Sequence, residues 1–269
     1  MNQLVVTVGA LGLTALASYT LGPQHVSRPS RTRTAPLPPA RTEQAVPFRV
    51  GETLTYDVSW SSYITAGVAT MTVKEKKPSF NSTAYYIVAE GRPTPLVSKL
   101  YTLYYKIDTL VDAYTLLPQR ASLYSEEGSR HRFKVTQFNR AAKQAHFESQ
   151  SMNTAQTDFA VSPVVQDGLS ALYVLRAIPF KFGDRMTMPI TEEGQTYGLR
   201  LDIGRPELLK VPFGELSAIK VNPTLTDDSG KPFGRNMAIW LSDDARRLPL
   251  KIQAELSIGS FVLALRTAQ

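Results

Sequence analysis

Four charges crowd one short window: Asp243, Asp244, Arg246 and Arg247. Such a set can hold an ion or pair internally. Pro249 directly after it marks entry to a strand, which favours a polar turn whose charges pair with each other. Asp227-Asp228-Ser229-Gly230 is a second oxygen-rich stretch. It lacks the spaced acids and distal Glu of a calcium loop, so it reads as a hairpin turn. His131 and His146 both lie in strand-like runs. Two imidazoles without carboxylate partners make no metal site, and they read as surface or cross-strand residues. Arg176 interrupts an apolar segment. A buried guanidinium there needs a carboxylate or carbonyl partner, or else meets an anionic head group. The structural pair is the preferred reading, and Glu52 is the acid singled out with it. Tyr101, Tyr104, Tyr105, Tyr114 and Tyr124 could line a lipid or glycan surface, although core filling explains most of them.

Arg176, Tyr104 and Tyr105 are therefore the candidate ligand-binding residues. No catalytic residue, metal ligand or cofactor is assigned. The chain has no cysteine, which removes disulfides, thiolate catalysis and Cys-ligated metals. It contains no G-x-S-x-G, H-E-x-x-H, Walker A or G-x-G-x-x-G sequence. An enzyme acting on glycans through paired carboxylates is the weakest reading, because no acid pair stands out.

These residues need a scaffold, and the length allows one. The 269 residues, 43% hydrophobic and 20% charged, can bury a sizeable core. The net charge is +7. Five of the 30 basic residues, Arg28, Arg31, Arg33, Arg41 and Arg49, fall in one stretch that contains a single acid, Glu43. The remainder is nearly balanced, and no recognition motif or basic–aromatic array is present, so nucleic acid is not expected as a partner.

Residues 1–22 form an apolar leader with no Asp, Glu, Lys or Arg. Leu4–Gly22 is long enough to cross a bilayer if uncleaved, and Ala15-Leu16-Ala17 resembles a signal-peptidase site. Signal peptide and membrane anchor both imply export, to the periplasm or cell envelope. Residues 23–47 hold six of the 18 prolines and read as an extended Pro/Arg-rich linker. Residues 48–269 read as one antiparallel β domain.

Within that domain the dominant period is two. Leu54, Tyr56, Val58 and Trp60 alternate with polar residues, as do Leu250, Ile252, Ala254 and Leu256. Phe133 and Val135 alternate with Arg132 and Lys134. Turn signals such as Asn81-Ser82, Glu127-Gly128 and Glu193-Gly194 separate the runs. One segment breaks the period. Asp167 can N-cap a helix over residues 168–177, and Pro179 stops it. A helix apolar on nearly every side is buried on nearly every side. The predicted fold is mainly β: a strongly curved antiparallel sheet or half-barrel around one buried apolar helix at about 167–178. A second short helix is predicted over 95–103.

Several stretches resemble the domain of unknown function 3108 family. They are Val50-Gly51-Glu52-Thr53-Leu54-Thr55-Tyr56-Asp57-Val58-Ser59-Trp60, Gln166-Asp167-Gly168-Leu169-Ser170-Ala171-Leu172-Tyr173, Val211-Pro212-Phe213-Gly214-Glu215 and Ile239-Trp240-Leu241-Ser242-Asp243-Asp244 with the following Ala245-Arg246-Arg247-Leu248-Pro249-Leu250. The resemblance spans roughly residues 47–267. It implies an exported bacterial protein without an assigned activity, and it supplies no catalytic residues. A more distant likeness, in shape only, is to periplasmic lipoprotein carriers, which hold acyl chains in a half-barrel around a helix. The expected function is a non-catalytic envelope protein binding a lipid or other amphiphile. The alternative is a structural or assembly factor acting through protein contacts.

Overall fold

The computed structural model describes residues 41–60, 64–227, 229–233, 236–256 and 259–269. The leader, most of the linker and Asp228 lie outside the described residues. Among the described residues fifteen strands and two helices follow in chain order. The first half holds β1 (Thr53–Trp60), β2 (Ile64–Ser79), β3 (Ser82–Pro93), α1 (Pro95–Leu100), β4 (Leu103–Asp112), β5 (Pro118–Glu127), β6 (Arg130–Asn139), β7 (Gln144–Gln150) and β8 (Thr154–Ala160). After α2 (Gly168–Ala177) come β9 (Arg185–Glu192), β10 (Gln195–Val211), β11 (Gly214–Thr226), β12 (Pro232–Phe233), β13 (Met237–Ser242), β14 (Pro249–Leu256) and β15 (Gly259–Ala268).

All strands belong to one antiparallel sheet. Its order is β8-β7-β6-β5-β4-β3-β2-β1-β15-β14-β13-β11-β10-β9, with β12 beside β11. The sheet does not close: β8 and β9 are its two edges. They nevertheless come near each other. Gln166, just before α2, pairs with β9 through Gln166 N–H to Pro189 O at 2.9 Å and Thr191 N–H to Gln166 O at 2.8 Å. The β9–β10 turn, Glu193-Gly194, stands against β7 and β8. A Cβ on Gly194 would lie 2.7 Å from Thr157 Cγ2 and 3.1 Å from Phe147 Cδ1. Gly194 also has φ +78, where side chains are strained. Gly194→Val is therefore expected to cost about 1–3 kcal/mol in chemical denaturation, by strain and overpacking together. A loss below ~0.5 kcal/mol would mean this turn is not held against β8.

α2 fills one end of the curved sheet. Asp167 caps it, accepting from the N–H groups of Leu169 at 2.9 Å and Ser170 at 3.0 Å, and it also accepts from the Thr109 hydroxyl at 2.8 Å. Ser170 closes the capping box. The helix packs on both flanks, as its composition predicts. Leu169 and Tyr173 join Phe48, Val73, Ile87 and Val111, while Leu172 and Leu175 join Tyr56, Leu201, Ile239 and Leu265. The second helix is shorter than the sequence implies. It ends at Leu100 because Tyr101 is already extended.

The domain begins earlier than residue 48. Gln44 N–H bonds Ala113 O at 2.9 Å, Glu43 pairs with Lys76 at 2.9 Å, and Val46 packs beside Phe48. The last residues of the predicted linker thus belong to the fold, because they cover an apolar cluster that β2, β3 and β4 leave open.

Candidate functional site

Two adjoining apolar cavities lie between the N-terminal half of α2 and the inner face of the sheet. Their volumes are about 270 Å³ and about 400 Å³. They share Gly168, Leu172, Glu192, Met237 and Ile239 as walls, so they form one branched space. Leu175, Leu199 and Leu225 line one branch, and Met71, Ile107, Leu123 and Phe147 the other. This size and lining suit a small or chain-like apolar ligand. The space is open. Met237 has the inward register of Ile239 yet is 43% exposed. Two other clefts, of about 430 Å³ and 710 Å³, lie outside the cup. Polar side chains such as Asn222, Gln253 and Glu255 line the first, so it offers little apolar burial.

The three predicted ligand residues are not brought together. Arg176 sits near the C-terminal end of α2, away from the cavity walls. Its guanidinium is fully enclosed and donates to Glu52 Oε1 at 2.7 Å and Oε2 at 2.9 Å. It also donates to Arg246 O at 3.3 Å, and the rings of Tyr173 and Phe48 flank it at 5.1 and 5.5 Å. Both terminal nitrogens are spent on the fold and only Nε is left without a partner, so the structure favours a structural role for Arg176. Tyr104 and Tyr105 are neighbours on β4 and point to opposite faces. Tyr104 lies on the convex side, donating to Glu90 at 2.7 Å beneath Arg92. Tyr105 faces inward and donates to Glu127. Burial and that carboxylate push its phenol up to about 12. Only Tyr105 stays near the cavity side.

The other candidates resolve as turns and ladders. Asp244 binds the Arg246 side chain at 2.6 Å and the Ser242 hydroxyl at 2.7 Å, while Arg247 stacks over Phe180. Asp227 accepts from Ser229 Oγ at 2.6 Å and Lys231 N–H at 2.9 Å, an Asx-type turn. His146 meets Asp158 across β7 and β8 at 2.8 Å. Among the described residues, no group of three or more His, Asp or Glu could hold a metal. Also among them, no helix is long and apolar enough to cross a membrane.

The profile of the family described as "Protein of unknown function (DUF3108)" matches residues 55–266. The chain belongs to the DUF3108 family. No curated protein matches it. Among solved structures it is similar to a beta-barrel-like protein of the domain of unknown function DUF1849 from Brucella abortus. That similarity is 11% identical over 85% of this chain and 99% of the other, with a TM-score of 0.53. It shows the fold alone. A proposed exported protein with a YmcC-like fold from Bacteroides fragilis aligns at 9% identity over 85% of this chain and all of its own, TM-score 0.33. A proposed lipoprotein from Parabacteroides distasonis aligns at 9% identity, again over 85% and 100%, TM-score 0.36.

The DUF3108 fold exposes residues that pattern reading missed. On β6 the assumption that apolar residues face inward fails. Lys134 lines the cavity and Val135 faces the other way. Glu192, at the end of β9, lines both branches. It keeps solvent contact although protein crowds it, as befits the wall of a water-accessible space. That crowding raises its carboxyl above the usual range; Glu193 adds to the rise and Lys134 opposes it. A raised carboxyl holds its proton longer in the folded state, so this group's contribution falls as pH climbs from the ordinary carboxylate range through the raised value. Glu192→Gln is expected to flatten that slope in melting curves taken across the window, and an unchanged slope would dismiss the assignment.

Proposed function

We propose that the protein is a non-catalytic, exported cell-envelope protein that holds an amphiphile by its apolar part inside the curved sheet. One observation carries this reading: an open, apolar, branched cavity beside α2, in a sheet otherwise packed by side chains. Burying about one methylene there is worth ~0.8 kcal/mol, so affinity comes from chain length rather than from many polar contacts. The apolar leader and proline-rich linker support delivery to the envelope, with the domain working near a membrane. Binding without turnover is the reading adopted here.

The alternative, an assembly factor, has one feature in its favour. Among the described residues β8 is a largely polar edge strand with no hydrogen-bonded strand on its outer side. Such an edge can accept a strand from a partner protein. Native mass spectrometry of the full chain from an envelope fraction, followed by denaturing extraction, separates the two. A stoichiometric amphiphile is the expected result. An empty chain carrying a co-purified protein would replace the cavity reading with the edge reading.

A further inference from the structure

The cavity lining is largely apolar, with Asp167, Glu192 and Glu193 as its acids and Lys134 of β6 as its cation. Lys134 lines the space opposite Leu123 in the strand pairing. Arg132, opposite Ser125, points to the same side, and Arg130, opposite Glu127, follows it toward the β5–β6 turn. Successive members of this row stand roughly 7 Å apart along the strand. Among the described residues, Arg130 and Arg132 form no ion pair. Lys134 pairs only with Glu193, whose side chain is 60% exposed.

Acids surround the row, and among the described residues the one salt bridge they make with it is Lys134 to Glu193. The Tyr105 hydroxyl occupies Glu127, and Lys134 occupies Glu193. Glu192 remains on the facing wall, its carboxyl raised above the usual range by crowding. Two free guanidinium groups and one exchangeable ammonium therefore meet the water-facing end of an apolar space.

We infer that the ligand is an anionic amphiphile, its chain in the cavity beside α2 and its phosphate or carboxylate head held by Lys134 and Arg132. This rests on the cavity reading and adds the head group and the orientation. Guanidinium groups bind both anions by paired charge-assisted hydrogen bonds. The head group replaces Glu193 as the partner of Lys134, so a partly exposed ion pair of small worth is exchanged for the contact with the ligand.

The test uses the full chain, the uncharged fluorophore N-phenyl-naphthylamine, and four competitors of equal chain length: hexadecyl phosphate, palmitate, hexadecanol and hexadecyltrimethylammonium. Both anions are expected to displace the probe at roughly tenfold lower concentration than hexadecanol, the factor supplied by one charge-assisted hydrogen bond. The order of the two anions tells a phosphate source from a fatty-acid source. In the double variant Arg132→Gln/Lys134→Gln, confirmed folded by its melting curve, the anions should fall to the level of hexadecanol, with hexadecanol unchanged. Glu193→Gln frees Lys134 and should tighten anion binding severalfold. If the double variant unfolds, Glu193→Gln carries the test, and no gain overturns the inference. Equal displacement by all four, or preference for the ammonium, overturns the head-group assignment and leaves the cavity reading standing. Failure of the probe and every competitor to bind overturns both.

Discussion

Glu52→Ala is expected to destabilise the fold by about 3–5 kcal/mol, because it leaves a buried guanidinium without its carboxylate. The Arg176 side chain is 0% exposed and that of Glu52 is 11% exposed. In a domain of this size the loss lowers the melting temperature by roughly 10 °C. Arg176→Lys should fall between wild type and the alanine variant, because an ammonium cannot make the two parallel bonds. The double variant Glu52→Leu/Arg176→Met should recover most of the loss, since well-packed apolar replacements remove both charges together. Thermal and urea unfolding of the three variants decide the matter. A drop of under ~1 kcal/mol for Glu52→Ala would show that Arg176 is not committed to the fold and return it to the ligand candidates.

Met237→Trp is expected to abolish most ligand binding while sparing stability. Met237 lines both branches of the cavity and is already 43% exposed, so a larger ring projects into open space rather than into packed core. Displacing two or three methylenes of a bound chain weakens binding by roughly ten- to hundredfold. Titration with the naphthylamine probe measures the loss, and the melting temperature checks the fold. Unchanged probe affinity in a folded Met237→Trp chain would place the ligand elsewhere. This prediction is independent of the charged row on β6, because it blocks the chain and leaves the head-group residues in place.

Much of the architecture is legible without coordinates. Alternation along Leu54, Tyr56 and Val58, and along Leu250, Ile252 and Ala254, is a local property of a strand with one buried face. The helix after Asp167 is equally local: a capping residue, ten residues with Ser170 and Arg176 the only polar side chains, and a proline stop. Burial of both its flanks follows from its composition, because water cannot cover so much apolar surface at low cost. The family resemblance over the same strands and helix agrees with the matched span, residues 55–266.

The candidate site is a different matter. Tyr104 and Tyr105 look like a pair in the sequence, and the pleat sends them to opposite faces. Lys134 looks like the solvent side of its strand, and its register opposite Leu123 puts it on the cavity wall. Glu52 and Arg176, 124 residues apart, could be singled out by type, but no local signal joins them. The strand period and the buried helix with its caps could be read from the sequence, since each depends on neighbours within a few residues. Which face of each strand is inner, which charges are spent on the fold and which remain at the mouth came from the three-dimensional arrangement. Those depend on where a curved sheet brings distant segments together, and pairing over such distances leaves no trace in local spacing.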